Sequence, residues 1–316
     1  MRVGISLWCQ GTDWPELRSA ATLVDRLGYD HLWVTDHLLP IYGRDDMPVY
    51  EAWTTLAALA GTTHHVTLGP LVSPVTFRNP GLLTRMAITL DHASGGRVIL
   101  GLGAGWFERE HESFGLEFGA SPRERVTWLS EALPVIRDLL DGRVVDHAGP
   151  RFRFDDLACV PRPIQARLPI LVGGMGSRST LRAIARHADM WNAYAEPLDV
   201  LRHTSAELDT LCREAGRDPA TLVRSVSAKV IIRDDPAEAS RVWTDQLARQ
   251  GWGPYAYRPW VGPPSDIAER LAQHAALGFE TVIVDLLAPF DVETIERLAG
   301  EVAPLVGTTS LTRASV

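Results

Sequence analysis

Cysteine is scarce in this chain, which carries only Cys9, Cys159 and Cys212. Three scattered thiols exclude a disulfide framework and a CxxC metal site, and a reduced, cytoplasmic setting is the expectation. Lysine is scarcer still: Lys229 is the single one, and every other cation is arginine. Codon usage in a GC-rich genome explains that bias, but its consequence is chemical. A Schiff-base mechanism has one possible side-chain amine, and any anion site must be built from arginine, histidine or backbone N–H groups. A basic excess is missing as well; the net charge of -8 argues against a surface that wraps nucleic acid. No apolar run reaches the roughly 18 residues of a membrane span, and no charged segment followed by an apolar one marks a secretory leader. Neither nucleic acid nor membrane is therefore an expected partner. What is plentiful is apolar sequence, 46% of 316 residues, enough for a large core and incompatible with disorder.

Apolar periodicity alternates between strand and helix from end to end. Strands are expected at Val3–Trp8, His31–Thr35, Val66–Ser73, Val98–Leu102, Leu168–Val172, Asp189–Ala193, Val223–Ile232 and Thr281–Leu286. Helices are expected at Trp14–Leu27, Tyr50–Ala60, Asn79–Ala93, Pro122–Leu140, Ser179–His187, Leu198–Ala215, Pro236–Gln250, Ser265–Leu277 and Val292–Val306. Eight strand–helix units without a compositional break predict a single closed (β/α)8 barrel over residues 1–306, followed by a flexible tail at 307–316. Two insertions interrupt the rhythm. Arg143–Pro163 reads as irregular or hairpin structure, and Gly251–Pro264, rich in glycine and aromatics, reads as a lid over the pocket or a packed surface loop.

In such a barrel ligands bind at the carboxyl ends of the strands. The residues there are Trp8, Asp36-His37, Ser73-Pro74, Gly103-Ala104-Gly105-Trp106, Gly173 to Ser177, Trp191-Asn192 with Tyr194, Lys229 and Asp285. Metal-ligand spacing and a GxSxG nucleophile elbow are both missing, and His64-His65 falls at the start of a strand, on the opposite face. His37 is the candidate acid or base, with Asp36 beside it to tune it, although neighbours on extended chain point to opposite sides. Gly173-Gly174-Met175-Gly176-Ser177 joins a strand to a helix, a setting in which backbone N–H groups can meet an anion. The glycines from Gly101 to Gly105 straddle a strand rather than opening a helix, which excludes a dinucleotide fingerprint and suggests a flat ring lying close to the backbone at Gly103 and Ala104.

Several motifs, in order, carry a resemblance. They include Leu32-Trp33-Val34-Thr35-Asp36-His37, Thr76-Phe77-Arg78-Asn79-Pro80, Ser94-Gly95-Gly96-Arg97, Gly101 to His111, Pro169 to Gly174, and Ala188-Asp189 with Trp191-Asn192. Over Val3 to Val306 the chain resembles the bacterial luciferase-like monooxygenase superfamily, and Trp106 to His111 is most similar to its branch of F420-dependent oxidoreductases. The resemblance implies a barrel that binds coenzyme F420 or FMN. The ring would lie over strand three, where relatives carry a non-proline cis peptide that maps to Leu71-Val72, near Thr76. The phosphate would lie near Gly174, Met175, Gly176 and Ser177. Where the sugar-phosphate dehydrogenases of this branch have a proton-donating glutamate, this chain has Trp106.

The expected activity is hydride transfer between F420 and a small, apolar or flat organic substrate, with His37 handling the proton and Trp8, Trp106, Trp191 and Tyr194 lining the pocket. The alternatives are an FMN-dependent monooxygenase fed by a separate reductase, and a barrel that binds cofactor without turnover. A homodimer is expected by analogy with related barrels.

Overall fold

The computed structural model describes residues 1–41, 43–175, 177–253 and 258–307. Its parallel strands are β1 (Arg2–Leu7), β2 (His31–Val34), β3 (Thr67–Pro70), β4 (Ser73–Pro74), β5 (Leu100–Gly103), β8 (Ile170–Gly173), β9 (Met190–Tyr194), β10 (Val223–Ala228) and β13 (Thr281–Leu286), hydrogen-bonded in the order β3-β2-β1-β13-β10-β9-β8-β5-β4. The third stave is split: β3 and β4 are separated by the Leu71–Val72 peptide, which is cis. The ring closes between β3 and the approach to β5, where Leu68 N–H donates to Arg97 O at 2.8 Å and Ile99 N–H to Leu68 O at 3.0 Å. The expected (β/α)8 barrel is therefore the fold.

Two other strand pairs lie outside the barrel wall. β6 (Val145–Ala148) and β7 (Arg153–Leu157) form the hairpin of the first insertion. β11 (Val230–Ile232) pairs with β12 (Trp260–Gly262) from the second. The expected strand Val223–Ile232 is thus two strands, broken at Lys229. The expected closing helix is likewise interrupted: α10 (Val292–Arg297) loosens into a π turn at Leu298–Val302 before a last helical turn, Ala303–Leu305.

Helices α1 (Trp14–Arg26), α2 (Ala52–Ala60), α3 (Pro80–Ser94), α5 (Pro122–Leu140), α6 (Arg178–His187), α7 (Leu198–Glu214), α8 (Pro236–Gln250) and α9 (Pro264–Ala276) surround the wall. Their ends follow from local chemistry. The Asn79 side chain accepts from Gly81 N–H and Pro80 takes the first helical position of α3, whose end is Gly95 in the left-handed region at φ 71°. In α5 the Ser121 hydroxyl accepts from Glu124 N–H, and Glu124 reaches back to Ala120 N–H, a reciprocal cap. Leu129, Leu133, Ile136 and Leu140 of α5 recur at helical spacing and are buried. Sequence reading did not separate one short helix, α4 (Glu108–Phe114), which Gly115 ends at φ 66°.

Strand parity sorts the core into two layers. Ile5, Leu7, Val282 and Val284 pack outward under the helices, whereas Trp33, Ile99, Leu171, Met190 and Ile283 fill the barrel lumen. Residues two steps beyond a lumen residue therefore also face the lumen, nearer the mouth. Among the described residues no helix is long and apolar enough to cross a membrane.

Candidate active site at the barrel mouth

β2 runs on through Thr35, Asp36 and His37, and parity splits the last two. Asp36 turns into the wall, where it is 1% exposed. Its carboxylate accepts from Arg78 Nη1 at 2.7 Å, from Arg78 Nη2 at 3.2 Å and from Ser73 Oγ at 2.5 Å. Burial pushes this carboxyl up from the ordinary aspartate value, against the pull of Arg78 and Ser73 that favours its charged form. Arg78 also pairs with Glu51, and Trp53 Nε1 donates to Ser73 Oγ at 2.9 Å. The expectation that Asp36 tunes its neighbour is corrected: it pins the turn after β2 to the start of α3.

His37 has a different carboxylate. Its Nδ1 lies 3.1 and 3.2 Å from the two oxygens of Glu110, and Leu38 N–H donates to the same group at 2.9 Å. Glu110 is 1% exposed, so its oxygens are presented to His37 and Leu38 and not to solvent. With Nδ1 committed to this contact, Nε2 is the nitrogen left to act on a ligand. The ring stands edge-on to Trp106 and Phe107, with centroids 5.7 and 6.3 Å away. Spacing alone could not bring Glu110 to His37, 73 residues earlier; the available signal was the helical run Glu108 to Phe114 shortly after the β5 glycines, closed by Gly115. α4 is fixed in turn by buried His111, whose Nε2 meets Thr76 Oγ at 2.7 Å and whose Nδ1 meets Phe107 O at 2.8 Å. The Thr76 hydroxyl, expected at the cofactor, is engaged there.

The glycines have a partner within the protein. A Cβ at Gly101 would lie 2.0 Å from Pro70 O, and at Gly103 or Gly173 it would lie 2.6 or 3.2 Å from the Val72 side chain. These glycines admit the split third stave. Leu71 and Val72 border the lumen cluster, and Ala104 stands half-buried above them. The turn after β8 is different: beside Gly174, at φ 129°, an added Cβ would meet nothing nearer than Thr180 at 3.8 Å. Half-buried Met175 follows, and Ser177 heads α6 without capping it through its side chain. First-turn N–H groups thus stand beside the hydroxyls of Ser177, Ser179 and Thr180, a donor set suited to a phosphate. Gly176 lies outside the described residues.

The four expected pocket aromatics divide. Trp106 and Tyr194 are exposed at the mouth. Trp191 is buried on the outer side of β9, packed against Phe279, with Nε1 donating to Gly174 O at 2.9 Å. It supports the turn and does not line the pocket, because it alternates with the lumen-facing Met190 and Asn192. Trp8 is buried as well: Trp252 covers it edge-on at 5.2 Å, Lys229 Nζ sits 4.3 Å from its ring centroid, and its Nε1 donates to Asp285 at 2.5 Å. Trp252 and Trp260 of the second insertion are both buried in apolar clusters, whereas Tyr255 and Tyr257 lie outside the described residues. Among the described residues no group of three or more histidine, cysteine, aspartate or glutamate side chains could hold a metal ion.

This barrel corresponds to a known family. The sequence profile described as luciferase-like monooxygenase matches residues 1–259, and the chain belongs to that family. One relative, the F420-dependent hydroxymycolic acid dehydrogenase of Mycobacterium tuberculosis, is 30% identical over 238 residues, 75% of this chain; the match spans 64% of that relative's length. Among solved structures, an F420-dependent secondary alcohol dehydrogenase in complex with an F420-acetone adduct superimposes with a TM-score of 0.83 at 20% identity, covering 96% of this chain and 98% of that one. An FMN complex of the oxygenating constituent of 3,6-diketocamphane monooxygenase from Pseudomonas putida gives a TM-score of 0.75 at 19% identity over 96% and 98% of the two chains.

Proposed function

We propose that this protein is an F420-dependent oxidoreductase that moves a hydride between the deazaflavin and a small organic substrate, with His37 as its acid and base. The observation that carries this reading is the His37–Glu110 pair at the mouth, beside the exposed ring of Trp106. The carboxylate on Nδ1 fixes the ring's orientation, so Nε2 can take a proton from a substrate hydroxyl as the alcohol becomes a carbonyl, and return it in the reverse direction. Glu110 would then fill the role of an acidic group near the β5 glycines, through the histidine, in a chain with Trp106 at the aligned glutamate position. The deazaflavin, when bound, supplies a carbon that accepts or donates the hydride and reacts poorly with oxygen.

Gly174, Met175 and the first turn of α6 from Ser177 would hold the cofactor's phosphate, and Leu71, Val72, Gly103 and Ala104 would border its ring. Trp106 and Tyr194 would flank the substrate and exclude water. FMN is the second reading, favoured by the fold shared with an FMN-binding monooxygenase. Parallel fluorescence titrations with F420 and FMN test the choice. The expected result is saturable F420 binding at least roughly tenfold tighter than FMN, a preference of about 1.4 kcal/mol or more. Tighter FMN binding, with product formation that requires oxygen, would replace this reading by the monooxygenase.

A further inference from the structure

The only lysine of the chain lies in the barrel. Lys229 stands where β10 gives way to β11, and its Nζ pairs with Asp285 of β13 at 2.5 Å. Trp8 Nε1 donates to the other carboxylate oxygen, also at 2.5 Å. The amine and the indole are closed off, each about 5% exposed, but 19% of the Asp285 side chain remains open. Each carboxylate oxygen offers two lone-pair directions, so these two donors leave acceptor capacity unused.

Parity and register show where that capacity faces. Asp285 is two residues beyond the lumen residue Ile283, and it is level with Ser6 on β1, which is in turn level with the lumen residue Trp33 on β2. Ser6 is 0% exposed and its hydroxyl has no hydrogen-bond partner. The nearby hydroxyls and amide are already spent on one another: Asn192 Oδ1 accepts from Ser225 at 2.9 Å and Ser227 at 3.1 Å, and Asn192 Nδ2 donates to Ser227 at 2.9 Å. An unused carboxylate face and an orphaned buried hydroxyl thus meet on one arc of the lumen, across from the glycine-lined arc of β5 and β8.

We propose that Asp285 and Ser6 form a hydrogen-bond-accepting site for a neutral O–H or N–H donor, with Lys229 and Trp8 holding Asp285 in place. Neutrality follows from the pair itself. An ammonium group would be repelled by Lys229 and an anion by Asp285, whereas a hydroxyl or imide N–H gains a charge-assisted bond without a second buried charge. This inference rests on the proposed hydride-transfer site, and two donors suit it: a hydroxyl of the substrate, or the imide N–H of the cofactor ring.

The single lysine supplies the test. Protein labelled with 15N-lysine gives one Nζ resonance, read during titration with F420 alone and then, at saturating F420, with cis-1,2-cyclohexanediol against cyclohexanol. A saturable shift with F420 assigns the site to the ring imide. A shift with the diol, absent with cyclohexanol, assigns it to a substrate hydroxyl. In either case Asp285→Asn should weaken binding of that ligand roughly tenfold or more, and Ser6→Ala about threefold. Ser6→Ala should do so without lowering the melting temperature, since the hydroxyl has no bond to lose, which a purely structural role does not predict. The inference is overturned if F420 binds by fluorescence yet no ligand moves the resonance, or if affinity is unchanged in both variants. Failure of F420 to bind, with the diol moving the resonance in a titration without cofactor, would refute the cofactor reading and leave this site standing.

Discussion

Asp36→Asn separates a wall-holding carboxylate from a catalytic one. The substitution keeps the side chain's shape but replaces an accepting oxygen by an amide NH2 that faces the guanidinium of Arg78 donor to donor. Breaking a buried pair on one side costs about 3–5 kcal/mol. Arg78 keeps its contact with Glu51 and is 11% exposed, which favours the lower end, about 3 kcal/mol. For 316 residues the unfolding entropy is about 0.7 kcal/mol/K, so the melting temperature should fall by about 4–5 °C. Circular dichroism at pH 7 reads that fall. An F420 titration at 20 °C, below the transition, should give the wild-type affinity within about twofold, because a structural lesson confined to the wall leaves the mouth intact. An unchanged melting temperature together with lost turnover would refute the reasoning and return Asp36 to the chemistry.

Asp25, at the end of α1, gives the stability a pH dependence. Burial alone would raise its carboxyl, but the N–H groups of Val66, His65 and His64, at 2.8 to 2.9 Å, reverse that and hold it below the ordinary aspartate value. Its contribution is therefore complete above pH about 4 and lost as the pH falls through the lowered value; in Asp25→Asn the unfolding free energy from urea titration at pH 7 should drop by about 2 kcal/mol and its loss between pH 5 and 3 should be smaller than in the wild type. Gly101→Ala forces a Cβ to 2.0 Å from Pro70 O, backbone that cannot swing aside, and should cost more than about 3 kcal/mol or prevent folding; a melting temperature within 2 °C of wild type would contradict the close approach. Burial, aided by the nearby Asp36 charge, pushes the Cys9 thiol up to about 12, so native protein at pH 8 should leave Cys9 unalkylated by iodoacetamide, as peptide mapping would show.

Much of the scaffold was legible because its signals are local. The limits of α5, α8 and β13 agree with those expected from apolar period, a proline in the first turn and the neighbouring turn residues. Of the irregular or hairpin structure expected in Arg143–Pro163, the hairpin is what forms. What local signals do not carry is which way a strand end faces and what crosses to meet it. Trp191 was expected in the pocket because it ends a strand, but its alternation with Met190 and Asn192 sends it outward. That Asp36 and His37 point to opposite sides follows from the extended chain, but which of the two faces the mouth does not. Glu110 and Asp285 stood in the sequence as acidic residues near strand ends; only the closure of the barrel brings one to His37 and the other to Lys229 and Trp8. The break at Lys229 is hidden because strand-forming residues stand on both sides of it, Val223 and Val226 before and Val230 to Ile232 after.

The measurement closest to the central claim is a paired determination of turnover and F420 affinity for His37→Ala and Glu110→Gln, using the best substrate from a panel of secondary alcohols, aldehydes and enones. Loss of the acid should lower kcat by about 10²- to 10⁴-fold in His37→Ala. In Glu110→Gln the histidine keeps one accepting oxygen but loses the carboxylate that contacts Nδ1 through both oxygens and orients the ring, and kcat should fall by about 10- to 100-fold. Both variants should bind F420 within about twofold of the wild type. Collapse of F420 affinity in His37→Ala, with the bound fraction turning over at the wild-type rate, would make His37 a ring-binding residue and contradict the account.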